Sequence, residues 1–404
     1  MTKASRTACM TETHDIGPAT KALTIGIGIA AASPVILLPI VVGAMIDTLG
    51  ISAREAGLVA AAEMLGAGVA TLALSLRVHS WNRRMIILCA LGLFILANLT
   101  AILAESWTAL AAIRFVAGIG GATTAATVNA ALAGTRNPDR SFGLFIMSAL
   151  TLAVVGLPGL SFVTAVWGLS GAYVAFAILG AIALLAAPRF PLFNGARAAI
   201  GHKSGQVARG RAAVALLAIL IYFIGQGAVW TYLERIGVYA GIDATRVGGA
   251  LGIAHIAGVI GAALAAWFGK RFGRARPMIA GFLVSFASVY LLGGSASYAA
   301  YLGAAGFFAF AWYFTLSYFF GLKSALDPSG RIIVLAVTMQ AAGLAIGPAV
   351  AGMLVIGSDY TWVVLLGMLS YGVSLVLITP VAVALDREAR GAVARVGPQT
   401  EKAG

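Results

Sequence analysis

Residues 141–188 read SFGLFIMSALTLAVVGLPGLSFVTAVWGLSGAYVAFAILGAIALLAAP, forty-eight positions between Arg140 and Arg189 without one Asp, Glu, Lys or Arg. As helix, at about 1.5 Å per residue, this stretch is roughly 70 Å long, more than twice the ~30 Å hydrocarbon core of a bilayer. It therefore has to cross twice, and it divides into apolar runs at 141–164 and 168–187. Working outward, the same pattern recurs at 23–46, 55–76, 85–104 and 107–134 before it, and at 212–233, 247–268, 277–294, 297–322, 331–356 and 360–384 after it. The expected fold is an all-α integral membrane protein of twelve transmembrane helices.

Composition agrees. Of 404 residues, 60% are apolar and 10% charged, so a water-soluble domain would lack the polar surface to cover itself. The 50 glycines fit membrane helices, where small residues let neighbours approach closely. The first apolar run is too long for the core of a cleaved signal peptide, so it is expected to remain as the first span. Two cysteines, Cys9 in a polar tail and Cys89 in an apolar run, make no disulfide framework, and neither C-x-x-C nor a Cys/His metal spacing occurs. No cofactor or metal is expected.

A net charge of +13 would suggest nucleic acid in a soluble protein, so the position of the charges decides. Alternate loops and the two tails carry 23 Lys and Arg; the opposite face carries Arg54, Arg235 and Arg246. Such sidedness is a topology signal: both termini are expected in the cytoplasm, in an inner membrane, with no nucleic-acid partner.

The chain also repeats. A shift of 192 residues sets Arg54 on Arg246, Gly57 on Gly249, Glu63 on His255, Gly66 on Gly258 and Arg84 on Arg276. Six spans separate the copies, so the halves share an orientation and relate by a pseudo-two-fold axis along the membrane normal. The expected organisation is a six-helix bundle at 1–187, a basic cytoplasmic linker at 188–211 and a second six-helix bundle with its tail at 212–404.

These features resemble the major facilitator superfamily, and the resemblance covers the whole chain. Its loop signature, roughly G-x-x-x-D-R-x-G-R-R, is partly matched by Arg271, Phe272, Gly273 and Arg274 and by Asn82, Arg83 and Arg84. The Asp is missing from both copies, with Lys270 in its place in one and Val78 or His79 in the other. Arg114 to Gly121 in span 4 is similar to the R-x-x-x-G-x-G segment often linked to proton coupling. Gly343, Gly347, Pro348 and Gly352 in span 11 look like the antiporter motif, which the family's exporters carry in span 5; there this chain has Gly156, Pro158 and Gly159. Drug and sugar efflux permeases resemble the chain best, and the family's central cavity, lined by spans 1, 4, 7 and 10, implies where a solute would bind.

The deep charges are the candidates for coupling. Glu63 and Arg114 each lie 7 or 8 residues inside the outer ends of spans 2 and 4, roughly 10 to 12 Å deep. They read as a static ion pair holding the first half together, with Arg114 alternatively satisfied by helix carbonyls, or as groups with a coupling or substrate role, Glu63 the proton site and Arg114 its cation. His255 occupies the place of Glu63 in the second half, as a proton carrier or a hydrogen-bonded core residue. Asp47 sits at the outer end of span 1, as a solvated end residue or a further proton site. Tyr222, Gln226, Trp230 and Glu234 in span 7 recur every four residues on one helix face, a binding surface for a polar aromatic solute or an interhelical glue stripe. Trp312 and Tyr313 in span 10, Gln340 in span 11 and Asn129 in span 4 add rings and hydrogen-bonding groups. In span 1, Pro34 and Pro39 imply a bend.

An enzyme is not expected: no clustered acids and histidines, no nucleophile with its base and no phosphate-binding loop are present. The reading is a secondary active transporter, a monomer moving a small organic solute by alternating access, through proton-coupled efflux. The alternatives are a proton symporter importing a small aromatic or organic acid, and a non-transporting membrane receptor or sensor.

Overall fold

The computed structural model describes residues 17–77, 82–191, 209–269, 271–326 and 331–396. Among them every element is helical, apart from one three-residue 3-10 turn and isolated bridge residues such as Ile356 with Asp359. The first crossing is made by α1 (Pro18–Ile36) and α2 (Leu38–Leu49). The break falls at Leu37, with φ −104° and ψ 11°. Its cause is covalent: Pro39 has no N–H to give the carbonyl of Val35 one turn back, which leaves that oxygen free. The bend expected from the two prolines is thus present, and its free carbonyl is used below.

α3 (Ala53–Arg77), α4 (Arg83–Ala101) and α5 (Trp107–Ala133) are spans 2 to 4. Most of the uncharged stretch 141–188 lies in α6 (Pro138–Ala186), 49 residues holding spans 5 and 6. They meet at Gly168, where φ is 60° and ψ −157°, a conformation that side-chain-bearing residues avoid. Thr48 of α2 secures the break, its hydroxyl accepting from the Leu169 N–H at 3.2 Å.

The second half repeats the first. α7 (Arg209–Tyr239) is followed by α8 (Ala244–Phe268), 25 residues long like α3, and α9 (Ala275–Gly293), 19 long like α4. α10 (Tyr298–Leu326), α11 (Arg331–Leu354) and α12 (Thr361–Val396) complete it. Twelve crossings in two six-helix halves result.

Two boundaries depart from the sequence reading in a way that matters. α7 runs six residues past the expected end at 233, so Glu234 and Arg235 lie inside a helix, and Arg235 is 6% exposed rather than in a loop on the opposite face. Lys323, expected in a loop of the basic face, is buried in the last turns of α10.

The halves touch along α3 with α11, α6 with α8 and α2 with α7. Small residues set these approaches. A Cβ on Gly252 would lie 2.7 Å from the Val154 carbonyl, and one on Gly352 3.1 Å from the Ala53 carbonyl. Close backbone contact of this kind replaces the hydrophobic drive that helices lack in lipid.

Candidate functional site

In the first half Arg114 is the organising residue. It projects from α5 toward α3, and one turn further on Gly118 lies directly against the Glu63 backbone, so the two helices approach closely enough for the side chains to join. Arg114 Nη2 donates to Glu63 Oε1 at 2.5 Å and Nε to Oε2 at 3.2 Å, a two-pronged pairing. Nη1 donates to Asn98 Oδ1 of α4 at 2.8 Å, and the guanidinium carbon lies 5.1 Å from the Tyr173 ring centroid of α6. Arg114 is fully buried and Glu63 4% exposed. The shared depth read from the sequence does bring the two together, inside the bundle of spans 2, 3, 4 and 6. Sequence reasoning missed Asn98 and Tyr173; a lone amide and a lone phenol in otherwise apolar runs were the available signals.

In the second half His255 is also buried, its Nδ1–H donating to the Leu251 carbonyl at 2.8 Å. That bond points Nε2 away from its own helix backbone. The imidazole meets Trp230 edge-on at 5.5 Å and Tyr313 at 6.3 Å; Trp230 meets Trp312 at 5.5 Å, and Trp312 stacks on Tyr313 at 5.9 Å. Four of the candidates from α7, α8 and α10 therefore form one aromatic wall. The wall reaches the other half, because the Trp230 indole N–H donates at 3.1 Å to the Val35 carbonyl that Pro39 leaves free.

The span 7 stripe does not stay on one face, which corrects the sequence reading. Steps of four residues advance about 40° around a helix, so twelve residues turn the stripe by about 120°. Trp230 and Glu234 face the first half, whereas Tyr222 and Gln226 turn into their own bundle. Gln226 is 1% exposed, and its Oε1 accepts from the Tyr371 hydroxyl of α12 at 2.6 Å. Tyr222 is enclosed by Phe282, Phe319 and Tyr371 with centroids 5.1 to 5.2 Å away. Gln340 and Asn129 lie apart from the wall, toward the basic face: Gln340 is half-buried with a long 3.5 Å contact from Lys323 Nζ, and Asn129 is exposed near the end of α5.

A charged cluster joins the halves near the opposite face. Arg235 of α7 donates through Nη1 and Nη2 to the Asp47 carboxylate of α2 at 2.7 and 2.8 Å. Its Nε and Nη2 also donate to Glu234, at 2.5 and 2.7 Å. The side chains of Arg235 and Glu234 are 7% and 4% exposed, and that of Asp47 58%. Asp47, read from sequence as a solvated end residue or a proton site, thus holds half of a two-pronged bridge. Gly43, one turn before it, makes room: a Cβ there would lie 2.7 Å from the Glu234 carboxyl carbon. Nearby, the Tyr232 hydroxyl donates to the Ala53 carbonyl at 2.6 Å and Ser161 to the Ala244 carbonyl at 3.0 Å. Among the described residues no group of three or more His, Cys, Asp and Glu could hold a metal.

At the basic face a carboxylate from α12 caps the start of α9. Asp386 of α12 accepts from the backbone N–H of Arg274 at 2.8 and 2.9 Å and of Ala275 at 2.9 Å, capping α9 beside Gly273, whose φ is 72°. In the first copy Asn82 caps α4, and Arg84 Nε donates to the Phe190 carbonyl at 2.9 Å. Lys270, Val78 and His79 lie outside the described residues.

The Major Facilitator Superfamily sequence model matches residues 23–213, just under half of the chain. The fold is similar to that of a D-xylose-proton symporter (TM-score 0.71, 13% identity, 91% of this chain and 96% of that one). It is likewise similar to the nucleoside transporter NupG (0.67, 14%, 91% and 98%). A bacterial homolog of the human lysosomal transporter Spinster, inward-facing and unoccupied, is a third (0.66, 14%, 92% and 96%). No curated protein matches. At these identities the likeness establishes the twelve-helix major facilitator fold.

Proposed function

We propose that the chain is a secondary active transporter of the major facilitator type, moving a small organic solute by alternating access, and that its direction is proton-coupled efflux. The observation that carries this reading is where the halves are fastened. Among the described residues, the hydrogen bonds and ion pairs between them run from Trp230–Val35 at mid-depth to Tyr232–Ala53, Ser161–Ala244 and Arg235–Asp47 near the opposite face. A molecule latched on one side of a central wall is one of the two states that alternating access requires. With the helical Arg235 and Lys323 left out of the loop count, 22 basic residues against 2 favour the basic face as the cytoplasmic one, and on that reading this state faces inward.

The wall suggests the solute. Trp230, Trp312, Tyr313 and His255 offer rings and hydrogen-bonding edges but no free charge, which suits a neutral or amphipathic compound. Import of an organic acid is disfavoured, because Arg114, the deep cation that would hold a carboxylate, is already engaged by Glu63 and Asn98. Glu63 is the proposed proton site, released from Arg114 in the outward-facing state, with His255 as the second candidate. The chain is taken to work as a monomer.

Proteoliposomes loaded with single candidate solutes test this. Under an imposed proton gradient the protein is expected to expel a neutral amphipathic compound, and to exchange it without a gradient. A protein that binds such a compound yet neither moves nor exchanges it would be a receptor instead.

A further inference from the structure

A groove of about 680 Å³ runs along the first half of α1, between the two arms of α6. Leu144 and Leu152 of the first arm and Ile182 of the second form its sides, and Gly26 of α1 its floor. Leu144 and Ile182 are 44% and 59% exposed, so the groove opens sideways into the hydrocarbon when the helices span a bilayer. Its end at the basic face differs in chemistry. Lys21 and Arg140 line it and no carboxylate does. Among the described residues neither cation has a side-chain hydrogen bond or ion pair; Asn137 accepts only from the Arg140 backbone. α1 begins at the same end, at Pro18, with no side-chain cap and no acid in its first turn, so its positive pole adds to the two cations.

Apolar walls open to lipid, leading to two cations without a partner among the described residues and a helix N-terminus at headgroup depth, fit a phosphate joined to an acyl chain. We infer that this groove binds an anionic phospholipid of the basic-face leaflet, its chain between the arms of α6 and its phosphate on Lys21 and Arg140. Basic pockets between transmembrane helices recognise such headgroups by charge. The bound lipid would press on α1, the helix that ends at the Leu37 break and leads to the Val35–Trp230 latch. The inference rests on membrane placement alone, so it stands or falls separately from the transport reading.

Native mass spectrometry of the full chain in detergent, titrated with phosphatidylglycerol or phosphatidylcholine, tests it. The wild type should prefer phosphatidylglycerol. A basic residue near the surface gives about a fivefold effect, so Lys21→Gln with Arg140→Gln should weaken phosphatidylglycerol about 25-fold and phosphatidylcholine, whose choline offsets its phosphate charge, far less. Ile182→Trp, which fills the groove, should weaken both, and Arg276→Gln, on the same face but outside the groove, should alter neither. Equal binding of the two lipids by the wild type, or a preference that survives the double substitution, would overturn the inference. So would glycerol phosphate competing as well as the intact lipid, which would assign the cations to a soluble anion.

Discussion

Removing Arg235 should open the latched side of the molecule, and the structure sets the size of the effect. Arg235→Gln leaves the Glu234 carboxylate, 4% exposed, without its cation, and stranding one partner of a buried pair costs about 3 to 5 kcal/mol. That cost falls on the latched state, where Glu234 is enclosed, so the open population should rise more than a hundredfold. Asp47→Asn breaks the other arm, but Asp47 is 58% exposed and solvent screens it, so about 1 kcal/mol and a fivefold rise are expected. Ser161, buried between α6 and α8 on the latched side, reports opening when changed to cysteine in a background lacking Cys9 and Cys89, the loss of its bond to the Ala244 carbonyl being common to every protein compared. Labelling of Ser161→Cys by an impermeant maleimide should be slow in the parent, about fivefold faster with Asp47→Asn and far faster with Arg235→Gln. Unchanged labelling in a folded Arg235→Gln protein would refute the latch.

Glu63→Gln should lower thermal stability by about 3 to 5 kcal/mol, because it strands Arg114, and abolish proton-driven expulsion of the solute; the pair Glu63→Leu with Arg114→Met should restore stability without restoring coupling. Proton-driven expulsion that persists with normal pH dependence in Glu63→Gln would pass the proton site to His255. Gln226→Ala should cost about 0.5 to 2 kcal/mol on unfolding and leave the solute KM unchanged, since its amide joins Tyr371 rather than the wall. Trp230→Phe keeps the ring and loses the donor to Val35, so solute affinity should hold while the latch weakens by about 1 kcal/mol, read from the same labelling rate.

The spans, the repeat and the meeting of Glu63 with Arg114 were legible in the sequence, because run length, charge sidedness and depth from a helix end are one-dimensional quantities. Tertiary partners were not. Asp47 and Arg235 lie 188 residues apart, and nothing local links them. Nor did the sequence mark α7 as continuing past 233, since two adjacent charges there look like the end of a span. The 40° drift misplaced Tyr222 and Gln226, which a helical wheel extended over twelve residues would have separated from Trp230 and Glu234. Asp386 escaped notice because it caps α9 from a different helix, 112 residues further along the chain.

Alternating access by rocking of the halves is the central claim, and paired distances across both faces test it most directly. Spin labels at Leu49→Cys and Tyr239→Cys, exposed at the ends of α2 and α7, report the latched side, and labels at Arg136→Cys and Arg276→Cys, one in each half, report the basic face. In proteoliposomes each pair should show two populations, and Arg235→Gln should lengthen the first distance while shortening the second. A single population at each pair, or both distances changing in the same direction, would contradict the account.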